Sequence, residues 1–119
     1  MPIQDILKDL VDSTPHAVGA ILVDWEGEAV QEHCHCDPYE IRFIAAHKGI
    51  ILNRFKEIHR DGQAGGAIED VVVTTGGAHL IIGVVGQDYA LVLHVGRGCP
   101  VAQALHRFRG AVGLLKREV

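Results

Sequence analysis

This sequence lacks the clusters of positive charge that binding to nucleic acid requires. It holds 11 lysine and arginine residues against 15 aspartate and glutamate residues, and its formal net charge is −4. No stretch of the sequence concentrates lysine and arginine. Because proteins that bind nucleic acid present a basic patch or stripe to the phosphates, we expect no nucleic-acid partner.

Long apolar runs are also missing. A membrane-spanning helix needs about 20 consecutive apolar residues, and the apolar segment AHLIIGVVGQ at 78–87 has about half that length. The amino-terminal stretch carries Asp5, Asp9 and Asp12 and has no uninterrupted apolar core, unlike a signal peptide. We therefore expect no membrane insertion and a cytoplasmic location, where the three cysteines stay reduced.

Motifs of catalysis and nucleotide binding are absent as well. The segments GVVGQD and GRGCP are glycine-containing turns without the lysine of a phosphate-binding loop. No nucleophile lies in a recognisable elbow, and no serine, histidine and aspartate stand at the spacing of a catalytic triad. We assign no catalytic residue and expect no cofactor.

What the sequence does contain is a regular alternation of predicted elements in a single domain, 1–119. Helical spacing of apolar residues predicts a helix over 2–12. Apolar or alternating runs predict strands over 17–24, 28–35, 69–75, 78–85 and 89–95. Two more helices are predicted from Pro38 to about His59 and from Pro100 to about Lys116. The order is α-β-β-α-β-β-β-α, and short turns make the strands antiparallel, which predicts an α+β sheet covered by helices.

Two of these helices have informative apolar faces. The last helix carries one stripe, formed by Val101, Leu105, Phe108, Val112 and Leu115. The helix over 38–59 has a broad face for the sheet, containing Ile41, Ile44, Ala45, Ile51, Leu52, Phe55 and Ile58. A second, narrower stripe lies opposite and consists of Phe43, Ala46 and Ile50, flanked by Arg42, Asn53, Arg54 and Glu57. A helix on a sheet needs one apolar face, so the second stripe favours a partner-binding surface over stray exposed side chains.

The run HCHC at 33–36 raises the question of a metal site. On a strand, His33 and His35 point to one face while Cys34 and Cys36 point to the other. A zinc site usually takes two ligands from each end of a loop, and the sequence shows no second pair. Cys36, which precedes the helix-capping Asp37, has a structural use because it can pack on Ile41. We expect no metal, and a disulfide between Cys34 and Cys36 is geometrically disfavoured.

Other polar residues have simple structural interpretations with a sharper alternative beside each. Cys99 is expected at the N-cap of the last helix, where the helix dipole can favour a reactive thiolate. Arg42, Arg54 or Arg97 is a solvated charge, with an arginine finger for a GTPase as the alternative. His79 and His94 are expected on the sheet faces.

The element order, the start AVGAILVDWEGEAV and the segment at 70–115 from DVVVTT to AVGLL resemble the Roadblock family. The turn residues Val23, Asp24 and Gly27 after the first strand fit its pattern. That family includes dynein light chains of the Roadblock type and bacterial regulators of small Ras-like GTPases. The resemblance implies a profilin- or longin-like α+β architecture with sheet order 2-1-5-4-3. The first and last helices would lie on one face and the central helix on the other.

The resemblance also implies a function by contact and no active site. Such domains dimerise through the central helix and third strand, which places the interface of this chain at Phe43, Ala46, Ile50, Val71 and Val73. The expected activity is that of a homodimeric binding module that regulates a small Ras-like GTPase, with Arg42, Arg54 and Glu57 contacting the partner. Two alternatives stay open: an assembly scaffold without effect on nucleotide hydrolysis, and a metal- or redox-responsive module using His33, Cys34, His35 and Cys36.

Overall fold

The computed structural model of the chain describes residues 2–24, 26, 28–37, 40–41, 44 and 69–119. The helices are α1 (Ile3–Ser13) and α2 (Val101–Lys116). The strands are β1 (Ala17–Asp24), β2 (Ala29–Cys34), β3 (Asp70–Thr74), β4 (Ala78–Val85) and β5 (Tyr89–Gly96). They form one antiparallel sheet in the order β2-β1-β5-β4-β3. The α+β class predicted from the sequence and the strand order implied by the resemblance are both confirmed.

The sheet is apolar on both faces, and a different layer covers each face. Ala20 and Leu22 of β1 point to the face covered by α1 and α2, which we call the α1/α2 face. Ile21 and Val23, their neighbours along the strand, point to the opposite face, where Ile41 is fully buried. The absence of alternation in the β1 sequence is thereby explained, since a strand covered on both sides buries every side chain.

The predicted central helix lies mostly outside the described residues. Glu40, Ile41 and Ile44 are helical, and Ile41 and Ile44 pack in the core of the opposite face. Cys36 packs in the same core as Ile41, as its expected structural use requires. These residues at the start of the helix lie on the face that the resemblance implies for it.

Helix α2 packs on β4 through a stripe that differs slightly from the predicted one. Its buried residues are Ala104, Phe108, Ala111 and Leu115, while Val101, Leu105 and Val112 are half-buried at the margins. The large ring of Phe108 determines how closely the helix approaches. A Cβ atom on Gly83 would lie 2.6 Å from Phe108 Cε1, so only glycine fits beneath this ring.

The entry into α2 corrects one expectation. The N-cap residue is Pro100, and no side chain caps the helix. Cys99 is buried among core residues of the α1/α2 face, and its Sγ lies 3.5 Å from the Pro100 carbonyl oxygen. The sequence analysis placed the N-cap one residue too early, at Cys99. It did so because proline more commonly occupies the first helical position than the N-cap.

The turn after β1 has the geometry expected from its sequence. Asp24 Oδ1 accepts hydrogen bonds from the backbone amides of Glu26, at 2.9 Å, and Glu28, at 3.0 Å. The backbone amide of Asp24 donates to the Glu28 carbonyl at 3.1 Å. The side chain of Asp24 thus replaces strand pairing where the chain reverses.

No helix in the described part of the chain is long and apolar enough to cross a membrane.

Candidate functional site

The first candidate surface is the outer edge of β3. Among the described residues β4 is its only neighbour in the sheet, with Val71 opposite Ile82 and Val73 opposite Leu80. Val71 and Val73 are half-buried and pack against the core of the opposite face. A short, valine-rich edge strand presents backbone groups that suit pairing with another strand.

An ion pair holds this edge strand to helix α2. Arg109 donates from Nε to Asp70 Oδ2 at 3.0 Å and from Nη2 to Asp70 Oδ1 at 3.3 Å. The two parallel bonds fix orientation as well as distance. The Asp70 carboxylate raises the pKa of Arg109, mainly through these hydrogen bonds. Asp70 begins β3, so the pair positions the start of the strand that the sequence assigned to the interface.

The second candidate region joins the end of α1 to β2. Asp12 lies near the end of α1, His33 in β2, and His35 directly beyond it. Asp12 Oδ1 is 3.7 Å from His33 Nε2 and 3.4 Å from His35 Nε2. The two imidazole rings meet edge to face with centroids 5.4 Å apart. The structure therefore places a carboxylate between two histidines that the sequence had paired only with cysteines.

The other oxygen of Asp12 is already engaged. Lys8, one helical turn earlier, donates from Nζ to Asp12 Oδ2 at 3.0 Å. This hydrogen bond lowers the pKa of the Asp12 carboxyl, and burial opposes it. The same bond raises the pKa of Lys8. As a result, the carboxyl is ionised at neutral pH and turns Oδ1 towards the imidazoles.

The two cysteines of the run lie on the other side of the strand. Cys34 and Cys36 pack against the core of the opposite face, and Cys34 donates from Sγ to the Cys36 carbonyl oxygen at 3.2 Å. Burial raises the pKa of Cys36 to about 11, and the neighbouring Cys34 thiol adds to this effect. A thiol that stays protonated at neutral pH is a weak nucleophile and a weak metal ligand.

The structure describes only some of the residues that were predicted to form functional surfaces. Val71 and Val73 lie together on the β3 edge. Phe43, Ala46 and Ile50 of the predicted interface, and Arg42, Arg54 and Glu57 of the predicted partner contact, lie outside the described residues. Arg97, considered as an arginine finger, donates from Nη1 to the Thr75 carbonyl at 2.8 Å and so braces the turn between β3 and β4.

His79 and His94, which the sequence placed on the sheet faces, both lie on strands. His79 is buried on the α1/α2 face with Nδ1 2.9 Å from Thr74 Oγ1. His94 lies opposite Leu80 of β4 and is half-buried. Both therefore lie on the sheet, as expected, but on different faces.

Sequence reasoning missed Asp12 and Arg109 as contact residues. Asp12 was visible only as one of several acidic residues of an amphipathic helix, and Arg109 as one of several charges of the last helix. Their partners are 21 or more and 39 positions away in sequence. No local pattern marks such pairs, since only the packing of the helices on the sheet brings them together.

Several solved structures have the same overall fold as this chain. The Roadblock/LC7 domain of Streptomyces avermitilis superposes with a TM-score of 0.87 at 21% identity, over 97% of this chain and 95% of that one. The chain has the Roadblock/LC7 fold. MglB of Myxococcus xanthus superposes at 0.85 with 14% identity, over 97% and 92% of the two chains. An MglB with a tetrameric arrangement gives 0.85 at 16% identity, over 97% and 85%.

Sequence comparisons do not reach these proteins. No protein-family model matches the chain, and no curated protein matches it either. The resemblance seen in the sequence is confirmed at the level of the fold.

Proposed function

We propose that this chain is a homodimeric, non-catalytic binding module that regulates a small Ras-like GTPase by contact. The observation that carries the proposal is the Roadblock/LC7 fold with its valine-rich third strand at the edge of the sheet. Strands of this kind pair with another chain unless something blocks them. The resemblance to bacterial GTPase regulators supplies the class of partner.

The proposed dimer joins the β3 strands of two chains across a two-fold axis. Each strand contributes the same residues, as a two-fold interface requires. The bidentate pair of Arg109 and Asp70 holds β3 in place before the partner arrives. Fixing the edge in advance reduces the entropy lost on association. An MglB structure with a tetrameric arrangement supports self-association for this fold.

The central helix would complete the interface in the same dimer. Its narrow stripe of Phe43, Ala46 and Ile50 would meet its own copy, since the broad face is used by the sheet. Ala46 and Gly49 are small and would let the two helices approach closely. A continuous sheet and a helix pair would then bury the apolar surface that a single chain leaves exposed.

The GTPase would dock on the charged rim beside this stripe. Arg42, Arg54 and Glu57 provide both signs of charge for electrostatic steering. Docking would stabilise one arrangement of the switch segments of the GTPase, without donating a catalytic group. Regulation by contact fits a sequence in which we found no catalytic motif.

The experiment that tests this function uses purified components. Small Ras-like GTPases of the source organism, loaded with GDP or with a non-hydrolysable GTP analogue, are titrated with this chain by calorimetry. Expected is saturable binding that differs between the two nucleotide states, together with a changed rate of GTP hydrolysis or exchange. Binding with neither rate changed would leave an assembly scaffold, and absence of binding to every such GTPase would overturn the proposal.

The charged rim gives a sharper prediction for the same assay. Arg54→Glu is expected to slow association with the GTPase and to alter its dependence on salt, because rim charges act mainly on the association rate. Arg117→Glu, an exposed arginine beyond the end of α2, is the matched control. Stopped-flow measurements at two ionic strengths check this. Equal rates for both variants, and for Arg42, Arg54 and Glu57 reversed together, would exclude this surface.

A further inference from the structure

The end of α1 and the outer strand β2 form a cluster that the proposed function does not use. His33 and His35 are two positions apart, and the backbone amide of His35 still pairs with β1 by donating to the Val18 carbonyl at 2.8 Å. Extended pairing keeps both side chains on one face. His33 pairs with Ala20, whose side chain lies on the α1/α2 face. Both imidazoles are therefore presented to α1, where Asp12 meets them.

Among the described residues, one ring nitrogen of this cluster lacks a hydrogen-bond partner, and the other meets Asp12 Oδ1 at 3.4 Å. His33 Nε2 is buried and makes no hydrogen bond within the described part of the chain. Its nearest carboxylate oxygen, Asp12 Oδ1, is 3.7 Å away, beyond hydrogen-bond distance. A buried polar atom without a partner is unfavourable, and a bound ion is one way to satisfy it. Lys8 occupies only the other oxygen of Asp12.

We propose that Asp12, His33 and His35 bind a divalent transition-metal ion of the Zn²⁺ class. One potential ligand atom from each residue lies within 4.8 Å of the other two. Zinc bonds to histidine nitrogen and carboxylate oxygen are about 2.0–2.1 Å long, which puts neighbouring tetrahedral ligands about 3.4 Å apart. The observed 3.4 and 3.7 Å separations from Asp12 Oδ1 match this spacing closely.

The types of ligand select the metal. Two imidazoles and one carboxylate suit zinc and its neighbours, whereas magnesium and calcium take oxygen ligands. Three protein ligands leave a fourth position for water. The side chains of Asp12 and His35 are 41% and 59% exposed, so an ion and its water have a path to the site. Cys34 and Cys36 face the other side of the strand and take no part.

The ion would link helix α1 to strand β2 by binding Asp12 and His33 together. Helix α1 also contacts this strand through Gln4, which donates from Nε2 to the Glu32 carbonyl at 3.1 Å. A metal that binds only the folded chain raises its thermal stability, by an amount that grows with the logarithm of the ratio of metal concentration to Kd. The site lies at the edge of the sheet opposite β3, so its test is independent of the dimer and the GTPase.

The experiment is a metal titration of tag-free, chelator-treated protein in a reducing buffer. Calorimetry with Zn²⁺ is expected to show one ion per chain and a rise in melting temperature. With Co²⁺, the visible absorption bands should have the strength of a four- or five-coordinate site, without the near-ultraviolet band of thiolate ligation. No saturable binding at tens of micromolar metal would overturn the proposal.

Matched variants assign the ligands. Asp12→Asn and His35→Asn change exposed side chains and should weaken binding by about tenfold or more, with circular dichroism confirming the fold. Asp9→Asn on the same helix and His106→Asn on α2 are controls that should bind like the wild type. Unchanged affinity in both ligand variants would refute the site. Loss of binding on replacing Cys34 and Cys36 by serine would assign the metal to the thiols instead.

Discussion

At the scale of single residues, burial decides the chemistry of groups that look alike in the sequence. The chain has eight histidines and three cysteines. Cys99 is buried in the core, which removes the basis for a reactive thiol at a helix start. Cys36 is held as a neutral thiol by its raised pKa. His33 of β2 faces Asp12, whereas His94 of β5 is half-buried on the other face of the sheet.

His94 predicts a pH dependence of stability. Burial lowers its pKa from the ordinary 6.5, and the charge of Glu40 opposes this shift only in part. The folded chain therefore keeps His94 neutral at pH values where the unfolded chain already binds the proton. The free energy of unfolding should fall as the pH drops below about 6.5, until the folded chain also takes up the proton.

Urea unfolding between pH 7.5 and 5 tests this dependence. His94→Gln should flatten the decline, because its side chain does not titrate. His106→Gln, an exposed histidine on α2, should leave the decline as it is in the wild type. A decline that persists unchanged in the His94 variant would assign the pH dependence to other groups.

At the scale of elements, periodicity locates the helices and strands, but contact distances depend on single small residues. The contact of Phe108 with Gly83 fixes the distance between α2 and β4. The sequence showed Phe108 on the apolar stripe of the last helix, and Gly83 within the strand predicted over 78–85. That the two are partners follows only from the packing of the helix over the sheet.

A mutant cycle tests this contact. Phe108→Ala should lower the free energy of unfolding by about 3–5 kcal/mol. Gly83→Ala should lower it by about 1–3 kcal/mol, since the added methyl group collides with the ring. In the double variant the methyl group enters space that the ring has left, so the combined loss should be smaller than the sum.

Equilibrium urea unfolding measures all the variants. Gly110→Ala is the control, since a Cβ atom at this position in α2 meets no neighbour. This substitution should raise stability by about 1 kcal/mol through helix propensity alone. Additive losses in the double variant would show that Gly83 and Phe108 do not act on each other.

At the scale of the whole molecule, the sheet ends in two edge strands, β2 and β3. The two edges of the sheet differ in character. β2 carries Gln31, Glu32 and His33 and resists stray pairing, whereas β3 is mostly valine. This asymmetry supports a dimer formed at one edge only, as proposed.

The dimer prediction rests on Ile50 of the central helix. Ile50→Asp would place a charge and its symmetric copy in the proposed interface, at a cost of several kcal/mol per dimer. Light scattering after a sizing column should show a dimer for the wild type and a monomer for the variant at tens of micromolar. Val30→Asp, at an exposed valine of β2 on the other edge, should remain dimeric.

Two results would contradict this interface. A monomeric wild type at these concentrations would exclude the dimer altogether. A dimeric Ile50 variant would move the interface elsewhere, and replacing Val71 and Val73 by lysine would then show whether the β3 edge contributes.

The sequence alone determined the class of fold and the bounds of nearly every described element. Apolar alternation and spacing are local signals that reflect burial directly, so runs such as 17–24 and 89–95 indicated their strands almost to the residue. The recognised resemblance added the order of the sheet. The inward stripe of α2 was displaced only because half-buried and buried positions look alike along a helix.

Tertiary structure decided which distant polar residues meet. Asp12 reaches His33 and His35, and Arg109 reaches Asp70, because helices pack across strands at distances that sequence spacing does not encode. The prediction that the run HCHC binds no metal considered only nearby residues, among which no second pair of ligands occurs. A carboxylate, that of Asp12, reaches the run from another element because α1 folds onto β2.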